Sequence, residues 1–371
     1  MSGELPPLAL PALRVEELAA RAFRNLASLD LTPGPRVNVL SGDNGQGKSN
    51  VLEAIYYLGT LASFRGASGS DLVQHGADTA SLGVRLSATP LSRTLKARIH
   101  RRAARELGLD GKRPRSIAAW RGVAPMVLFH PGDLELAQGG PDGRRAFLDR
   151  MLEEIDPAYG ATREAYEKAR SSRNKLLKSE TPEPRAIVAF DPILAESGAV
   201  LVRARRELVA ALGSTAERVA AEILGHELPL DVRYSPRVDG DANALREALA
   251  RSLTKDLARG FTAEGPHADD VVLSVRAHSA RHHASQGQQR TIVLALKVAE
   301  LEALARRTGR VPVLLLDDVS SELDRTRSRR FFAVLARTEA QVFLTTTAPE
   351  LIHVEGERAD FVVEAGRVES R

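Results

Sequence analysis

The stretch Leu40–Asn50, LSGDNGQGKSN, decides the prediction for the whole chain. It has the spacing G-x-x-x-x-G-K-[ST] of a phosphate-binding loop, in which backbone N–H groups turn inward around phosphate oxygens. Lys48 is expected to reach the β- and γ-phosphates, and the Ser49 hydroxyl is expected to bind Mg²⁺. The pattern therefore predicts a nucleotide site made of Gly42, Asp43, Asn44, Gly45, Gln46, Gly47, Lys48, Ser49 and Asn50.

The sequence on either side of this loop fits the same prediction. Val37–Leu40 alternates apolar and polar residues like a short strand, and Val51–Leu58 has the composition of an apolar helix. Arg14–Leu31 predicts a pair of strands that leads towards the loop. A loop between a strand and a helix places phosphate at a helix N-terminus, where the helix dipole favours anions.

Composition limits the classes of protein that this chain can be. It has 371 residues, a formal net charge of +4 and no cysteine. The length predicts two or three domain-sized units. The lack of cysteine excludes disulfides, zinc–thiolate sites and thiol nucleophiles, and it favours a cytoplasmic location. No apolar run approaches the ~18 residues of a membrane span, and the charge permits a nucleic-acid partner without requiring one.

The pattern of residues changes twice along the chain. Period-two alternation predicts an antiparallel hairpin around Leu82 and Leu95, whereas residues 144–260 have mostly helical spacing. We therefore predict an α/β head made of residues 1–143 and 261–371, with a mainly helical lobe at 144–260 inserted between its halves. The head is expected to contain a mixed sheet that carries the phosphate loop.

Two acidic residues end an apolar run later in the chain. Val311–Asp318 predicts a buried central strand, because an uninterrupted apolar run fits a parallel strand covered on both faces. A carboxylate at that strand end can hold Mg²⁺ through water, and we assign this role to Asp317. Asp318 is then placed to orient or activate the attacking water.

Two further segments resemble parts of ABC-type ATPases, in which two subunits enclose ATP. Ala284–Arg290, ASQGQQR, is similar to the signature L-S-G-G-Q and opens an apolar helix. The similarity implies that Ser285, Gly287 and Gln288 contact the γ-phosphate held by another subunit. Ser321–Asp324 looks like the D-loop that crosses the same interface. The expected catalytic residues are Lys48, Asp318, Ser285 and Gln288.

Together with other motifs, these segments resemble the RecF family, SMC-like members of the ABC superfamily that act in bacterial recombination repair. The resemblance runs from Phe23 to Thr347 and includes RRAFLD at 144–149, RNKLLK at 173–178 and GPH at 265–267. It implies an ATP-dependent homodimer on duplex or gapped DNA, slow and DNA-stimulated ATP hydrolysis, and a nucleoid-associated location. It also implies RecR as a partner, with RecO and RecA in the same pathway.

The chain departs from the family pattern at several positions. Ser49 replaces the commoner threonine and keeps the hydroxyl, Phe190 stands where tryptophan is usual, and Ala268 replaces the arginine expected after GPH. Thr346 or Thr347 occupies the region of the transporter switch histidine. One contact to the γ-phosphate or water is then missing, which predicts slow turnover.

Single residues outside these motifs have competing interpretations. A basic cluster from Arg98 to Arg115 could follow a phosphate backbone, although a solvated strand edge is the alternative. Arg65 could reach the nucleotide or be a solvated loop residue. For Trp120 we predict a core position, and for His130 a structural role ahead of a catalytic one.

Other ATPases of this superfamily remain alternatives. An OLD-type ATPase–nuclease needs an acidic metal-binding nuclease domain after the head, and we expect no room for one after Thr347. Rad50 and SMC proteins need longer coiled coils, and a transporter ATPase fits the arginine clusters less well. A non-hydrolysing DNA-binding protein that uses ATP as a switch is disfavoured by the two acids Asp317 and Asp318.

Overall fold

The computed structural model describes residues 10–88, 90–319, 323–352, 354 and 356–371, with no side chain described for Ala118. These residues divide into two compact units. The head unit comprises the described parts of 1–133, 218–227 and 286–371. The insert unit comprises residues 134–217 and 228–285.

The strands and helices of the described residues are numbered here in chain order. The strands are β1 Arg14–Phe23, β2 Leu26–Leu31, β3 Val37–Ser41, β4 Thr79–Ala88, β5 Leu91–His100, β6 Glu106–Leu109, β7 Met126–Phe129, β8 Leu230–Ser235, β9 Asp270–Val275, β10 His278–Ser279, β11 Val313–Leu316, β12 Val342–Thr346, β13 Arg358–Glu364 and β14 Arg367–Ser370. The helices are α1 Lys48–Thr60, α2 Gly69–Leu72, α3 Ile117–Arg121, α4 Glu135–Gln138, α5 Pro141–Ile155, α6 Pro157–Leu177, α7 Pro184–Val188, α8 Asp191–Leu224, α9 Ala242–Arg259, α10 Ala280–His283, α11 Gln286–Thr308 and α12 Arg325–Ala336. Within the described ranges, no helix is both long and apolar enough to span a bilayer.

A six-stranded mixed sheet holds the head unit together, in the order β14-β13-β3-β12-β11-β7. The pairs from β13 to β7 are parallel, and β14 runs antiparallel to β13. β11 lies between β12 and β7, and all four of its residues are buried. The prediction of a central parallel strand after Val311 is therefore confirmed, as is the mixed sheet.

A second, antiparallel sheet in the head unit has the order β2-β1-β4-β5-β6. Helix α1 contacts strands of both sheets, and residues 51–60 of this helix are all buried. The predicted strand pair, hairpin and apolar helix are confirmed. Trp120 is fully buried, as predicted, and its Nε1–H donates to the Leu58 carbonyl oxygen over 2.7 Å.

The insert unit combines long helices with the small antiparallel sheet β10-β9-β8. Its core contains a buried ion cluster, in which Arg173 donates to Asp191 over 3.0 Å and to Asp256 over 2.8 Å. Burial raises the pKa of Asp191, and the charge of Arg173 opposes that shift. An unpaired charge here would cost several kcal/mol, so the three groups require one another.

Three of the motifs that carried the family resemblance, at 144–149, 173–178 and 265–267, lie in this unit. Arg144 forms a bidentate ion pair with Asp270, with hydrogen bonds of 2.8 and 3.0 Å. Arg205 forms a bidentate ion pair with Asp149, with hydrogen bonds of 2.8 and 2.9 Å. His267 shares a hydrogen bond of 2.6 Å with the Tyr166 hydroxyl, and burial lowers its pKa. These ion pairs connect α5 to β9 and to α8 within the insert unit.

The units do not divide where the residue pattern changes. The insert unit begins at residue 134 and extends to 285, whereas the predicted lobe covers 144–260. The reason is pairing: β9 follows residue 260 in the chain yet forms its ladder with β8, from Leu230↔Val275 to Ser235↔Asp270. Residues 218–224 of α8 belong to the head unit. The division at 1–143, 144–260 and 261–371 stays a prediction.

Candidate nucleotide site

The phosphate loop joins β3 to α1, as the sequence predicted. Gly42 and Gly47 adopt φ values of 145° and 114°, which disfavour residues with a side chain. A Cβ on Gly42 would lie 2.3 Å from the Val363 carbonyl oxygen, and one on Gly47 would lie 2.6 Å from Asn25 Oδ1. Both positions therefore need glycine for the space as well as for the backbone conformation.

The Lys48 side chain folds back onto the phosphate loop. Its Nζ donates to the carbonyl oxygens of Gly42, over 2.6 Å, and of Asp43, over 2.8 Å. Burial lowers the pKa of Lys48, while Asp318, Asp317 and Asp43 act in the opposite direction. The ammonium group is therefore within electrostatic reach of both acids that the sequence singled out. Gly45 at the loop tip has open space where a Cβ would be.

Asn25 holds the loop in shape, and sequence reasoning missed it. Its Nδ2–H donates to the Gln46 carbonyl oxygen over 3.0 Å, and its Oδ1 accepts from Asn50 over 2.7 Å. The N–H of Gly366, in the turn between β13 and β14, donates to the same Gln46 oxygen over 2.9 Å. The signal available in the sequence was an asparagine, a residue type that favours turns, within the predicted strand pair. In the structure Arg24 and Asn25 form the turn between β1 and β2, with Arg24 at a φ of 54°.

We expect Asn25→Ala to weaken ATP binding about thirtyfold while the fold is kept, since two hydrogen bonds of ~1 kcal/mol each are lost from the loop. Titration with a fluorescent ATP analogue at fixed Mg²⁺ measures the effect. Asn243→Ala, at an exposed position of α9, is the matched control. Equal affinities for the two variants would show that the loop keeps its shape without Asn25.

The two acids lie where β11 ends. The Asp317 N–H donates to the Phe129 carbonyl oxygen over 2.8 Å, and Asp317 is 8% exposed. Thr345, at the end of the neighbouring strand β12, joins both acids. Its hydroxyl donates to Asp317 Oδ1 over 2.8 Å and accepts from the Asp318 N–H over 2.9 Å. Sequence reasoning missed this role of Thr345, because its pairing with these acids depends on the order of strands in the sheet.

The residues predicted to hold Mg²⁺ fit that ion. Asp317 offers a carboxylate that is kept in place by Thr345, and Ser49 offers a half-buried hydroxyl in the first turn of α1. Within the described ranges no group of three or more His, Cys, Asp or Glu side chains could hold a metal by itself. Mg²⁺ is commonly bound through one or two protein groups together with substrate phosphates, which is the arrangement that these residues permit.

The signature segment forms the start of α11. Ser285 is exposed and directly precedes the helix, and Gly287 and Gln288 lie in its first turn. A Cβ on Gly287 would lie 2.1 Å from Arg327 Nη1, so a side chain there would displace the Arg327 guanidinium group. In the predicted D-loop, Ser321 and Glu322 lie outside the described residues. Asp324 caps α12 by accepting from the N–H groups of Thr326, over 3.0 Å, and Arg327, over 2.9 Å.

Two arginines of the basic cluster, Arg101 and Arg105, donate to backbone carbonyl oxygens within the head unit. Arg101 donates to the carbonyl oxygens of Val73, Gln74 and Ala77 over 2.9 to 3.1 Å. Arg105 donates to the Leu61 carbonyl oxygen over 2.9 Å. These bonds favour a structural role for Arg101 and Arg105, and the two interpretations stand for the rest of the cluster.

Arg65 and His130 also contact neighbours inside the head unit. Arg65 donates to Asn50 Oδ1 over 2.8 Å, which ties it to the residue after the phosphate loop. His130 Nδ1 accepts from the Gly132 N–H over 3.1 Å, and its ring packs 5.5 Å from that of Phe64. The His130 contacts are of the structural kind, whereas the bond from Arg65 places its guanidinium group beside Asn50, a residue of the predicted nucleotide site.

Comparison with known proteins identifies a family for the chain. Residues 14–367 match the family model described as the RecF/RecN/SMC N terminal domain. A protein of Anaeromyxobacter sp. (strain Fw109-5), named DNA replication and repair protein RecF, is 42% identical over 368 residues, which is 96% of this chain and 99% of that protein. The protein of the same name from Myxococcus xanthus (strain DK1622) is 40% identical over 359 residues, 94% of each chain.

Solved structures agree with this result. A recombination mediator protein RecF with ATP, in the RecFOR pathway, is 32% identical, with a TM-score of 0.88 over 99% of this chain and 100% of that one. The Smc head domain of Pyrococcus furiosus is 15% identical over 97% of this chain and 96% of that one, with a TM-score of 0.59, and shows similarity of fold. The chain therefore belongs to the RecF family of ABC/SMC-type ATPases.

Proposed function

We propose that this protein is an ATP-dependent recombination mediator. Two protomers associate head to tail around ATP, hold duplex DNA or the junctions of gapped DNA, and help RecO and RecR to load RecA. The observation that carries the proposal is that the phosphate loop with Lys48 follows β3, and Asp317 follows β11, where both strands run parallel to the β12 strand between them. The RecFOR pathway in the name of a relative at 32% identity supports the choice of partners. We place this activity in the cytoplasm, at the nucleoid.

The head unit supplies the groups that bind ATP. The N–H groups of the loop and the first turn of α1 face the phosphates, and Lys48 leaves the carbonyl oxygens of Gly42 and Asp43 to pair with the β- and γ-phosphates. Ser49 and Asp317 would hold Mg²⁺, which would supply positive charge to neutralise the phosphates. Asp318 accepts a hydrogen bond from the attacking water and orients it towards the γ-phosphate.

The partner protomer completes the site. Ser285, Gly287 and Gln288 at the start of its α11 meet the γ-phosphate, where the helix N-terminus favours the negative charge. Because the γ-phosphate then bridges two protomers, the dimer lasts until hydrolysis removes that contact. The Thr346 hydroxyl accepts from the Ala348 N–H over 3.0 Å, and residues 345–348 contain no histidine. Because a contact to the γ-phosphate or to water is then missing, we propose slow turnover.

Sedimentation tests the dimer directly. The protein is run without nucleotide, with ADP, and with ATP plus Mg²⁺, each with and without a gapped duplex. ATP alone is expected to convert monomer to dimer, and Lys48→Met is expected to remain monomeric. A mass that never responds to ATP would exclude the two-protomer site and leave a switch within a single subunit.

DNA binding is expected to depend steeply on salt, because contacts to phosphates release counterions. With ~6 or more phosphate contacts, affinity should fall by about a thousandfold between 50 and 200 mM salt. Fluorescence anisotropy of a labelled gapped duplex, with ATP present, gives the slope. A flat dependence on salt would mean that the protein does not hold DNA through its backbone.

A further inference from the structure

A buried lysine on α11 has no role in the mechanism above. Lys297 is 3% exposed, and its Nζ lies 3.1 Å from Asp133 Oδ1 and 3.3 Å from Glu300 Oε2. Buried ion pairs are weak sources of stability, because removing the charges from water costs about as much as their attraction returns. A well-attested use of such pairs is to hold two elements in one register, so we asked which elements Lys297 joins.

Asp133 belongs to the turn that follows β7, beside the candidate metal ligand. Phe129, the last residue of β7, is in register with Leu316, and its carbonyl oxygen accepts from the Asp317 N–H. Asp133 Oδ2 in turn accepts from the His130 N–H over 2.9 Å. Asp133 is therefore joined by hydrogen bonds to the end of β7, which pairs with β11, the strand that Asp317 follows.

Lys297 itself lies on the helix that begins with the signature segment. Eleven residues separate it from Gln286, the first residue of α11. At 1.5 Å per residue this is about 16 Å along one continuous helix. A helix of this length moves as a rod, and closely packed interiors transmit small displacements. A shift of the Asp133 turn would therefore be expected to reach the N-terminal end of the helix, where Gly287 and Gln288 lie.

We propose that Lys297 is a positioning residue that couples two parts of one protomer. One part is the ATP site of that protomer, and the other is its signature segment, which closes the ATP site of the partner protomer. This inference rests on the head-to-tail dimer proposed above. Lys297 holds α11 in register with the strand end that carries Asp317. Without it, ATP binds to the phosphate loop as before, but the signature segment is no longer held in the orientation that closes the second site.

The test separates ATP binding from dimer closure. Lys297→Met is compared with Lys297→Arg and with Arg306→Met, since Arg306 is an exposed residue of the same helix, 3.7 Å from Glu302. ATP affinity is measured at protein concentrations below dimerisation, and the dimerisation constant, kcat, KM and Hill coefficient are measured above it. Melting temperatures report whether each variant folds.

Lys297→Met is expected to bind ATP within about twofold of the wild type, while dimer affinity and kcat each fall about tenfold and the Hill coefficient approaches one. Lys297→Arg should recover most of the loss, and Arg306→Met should match the wild type. If Lys297→Met does not fold, Asp133→Asn is used instead, because it keeps the side-chain volume. It should lower dimer affinity, kcat and the Hill coefficient in the same direction but by a smaller factor.

Three results would overturn the inference, and they differ in what they say about the dimer. If the wild type dimerises with ATP and Lys297→Met does so equally well, the coupling is wrong and the proposed function stands. If Lys297→Met loses monomeric ATP affinity as strongly as it loses dimerisation, Lys297 acts on its own site alone. If the wild type never dimerises, the proposed function and the coupling both fail.

Discussion

Asp318→Asn is expected to trap the ATP-bound dimer and to lower kcat by about a hundredfold to a thousandfold. The reason is that a positioned general base contributes ~10² to 10⁴ in rate, and an amide cannot accept the proton from water. Phosphate binding should not be lost, because Lys48 and the loop remain, and one negative charge near the γ-phosphate is removed. Asp318 has a φ of 54°, which asparagine tolerates, so the backbone should keep its shape.

Single-turnover hydrolysis and sedimentation with ATP check this prediction together. Asp317→Asn is the matched comparison, because the two acids are neighbours but only Asp317 accepts the Thr345 hydroxyl and is assigned to Mg²⁺. Its loss should raise the Mg²⁺ concentration needed for dimerisation, which Asp318→Asn should leave unchanged. Wild-type turnover by Asp318→Asn would show that another group orients the water.

Lys48→Met is expected to abolish the response to ATP altogether. The ammonium is the charged group placed inside the loop, and removing one such contact to a developing phosphate charge costs ~10² to 10³ in kcat. Ground-state binding is lost as well, so kcat/KM should fall by more than a thousandfold. The unliganded fold should survive, because Lys48 contacts only the carbonyl oxygens of Gly42 and Asp43 among the bonds described for its Nζ.

Equilibrium binding of ATP, steady-state hydrolysis and thermal unfolding measure these three effects separately. Lys96→Met is the control, since Lys96 is an exposed residue of β5 in the same head unit. A Lys48→Met variant that still dimerises with ATP would place the phosphate contact elsewhere in the loop.

The sequence alone determined the parts that depend on neighbouring residues. The phosphate loop between a strand and a helix could be predicted directly, because glycine, lysine and serine at that spacing are typical of a phosphate-binding loop. The buried strand before Asp317 and the helix after Ser285 follow from apolar runs and spacing, and the structure confirms both elements. Family membership follows from several such motifs in a fixed order.

Only the tertiary structure decided which distant residues meet. Asn25 contacts Gln46 and Asn50, and Thr345 contacts Asp317 and Asp318, across separations that no local pattern encodes. The extent of the insert unit beyond residue 260 also depends on a distant partner, since β9 pairs with β8. Periodicity reports the environment along one element, whereas strand order and side-chain pairing depend on how the elements pack. That is why the nucleotide loop was predictable and its supports, together with the buried Lys297, were not.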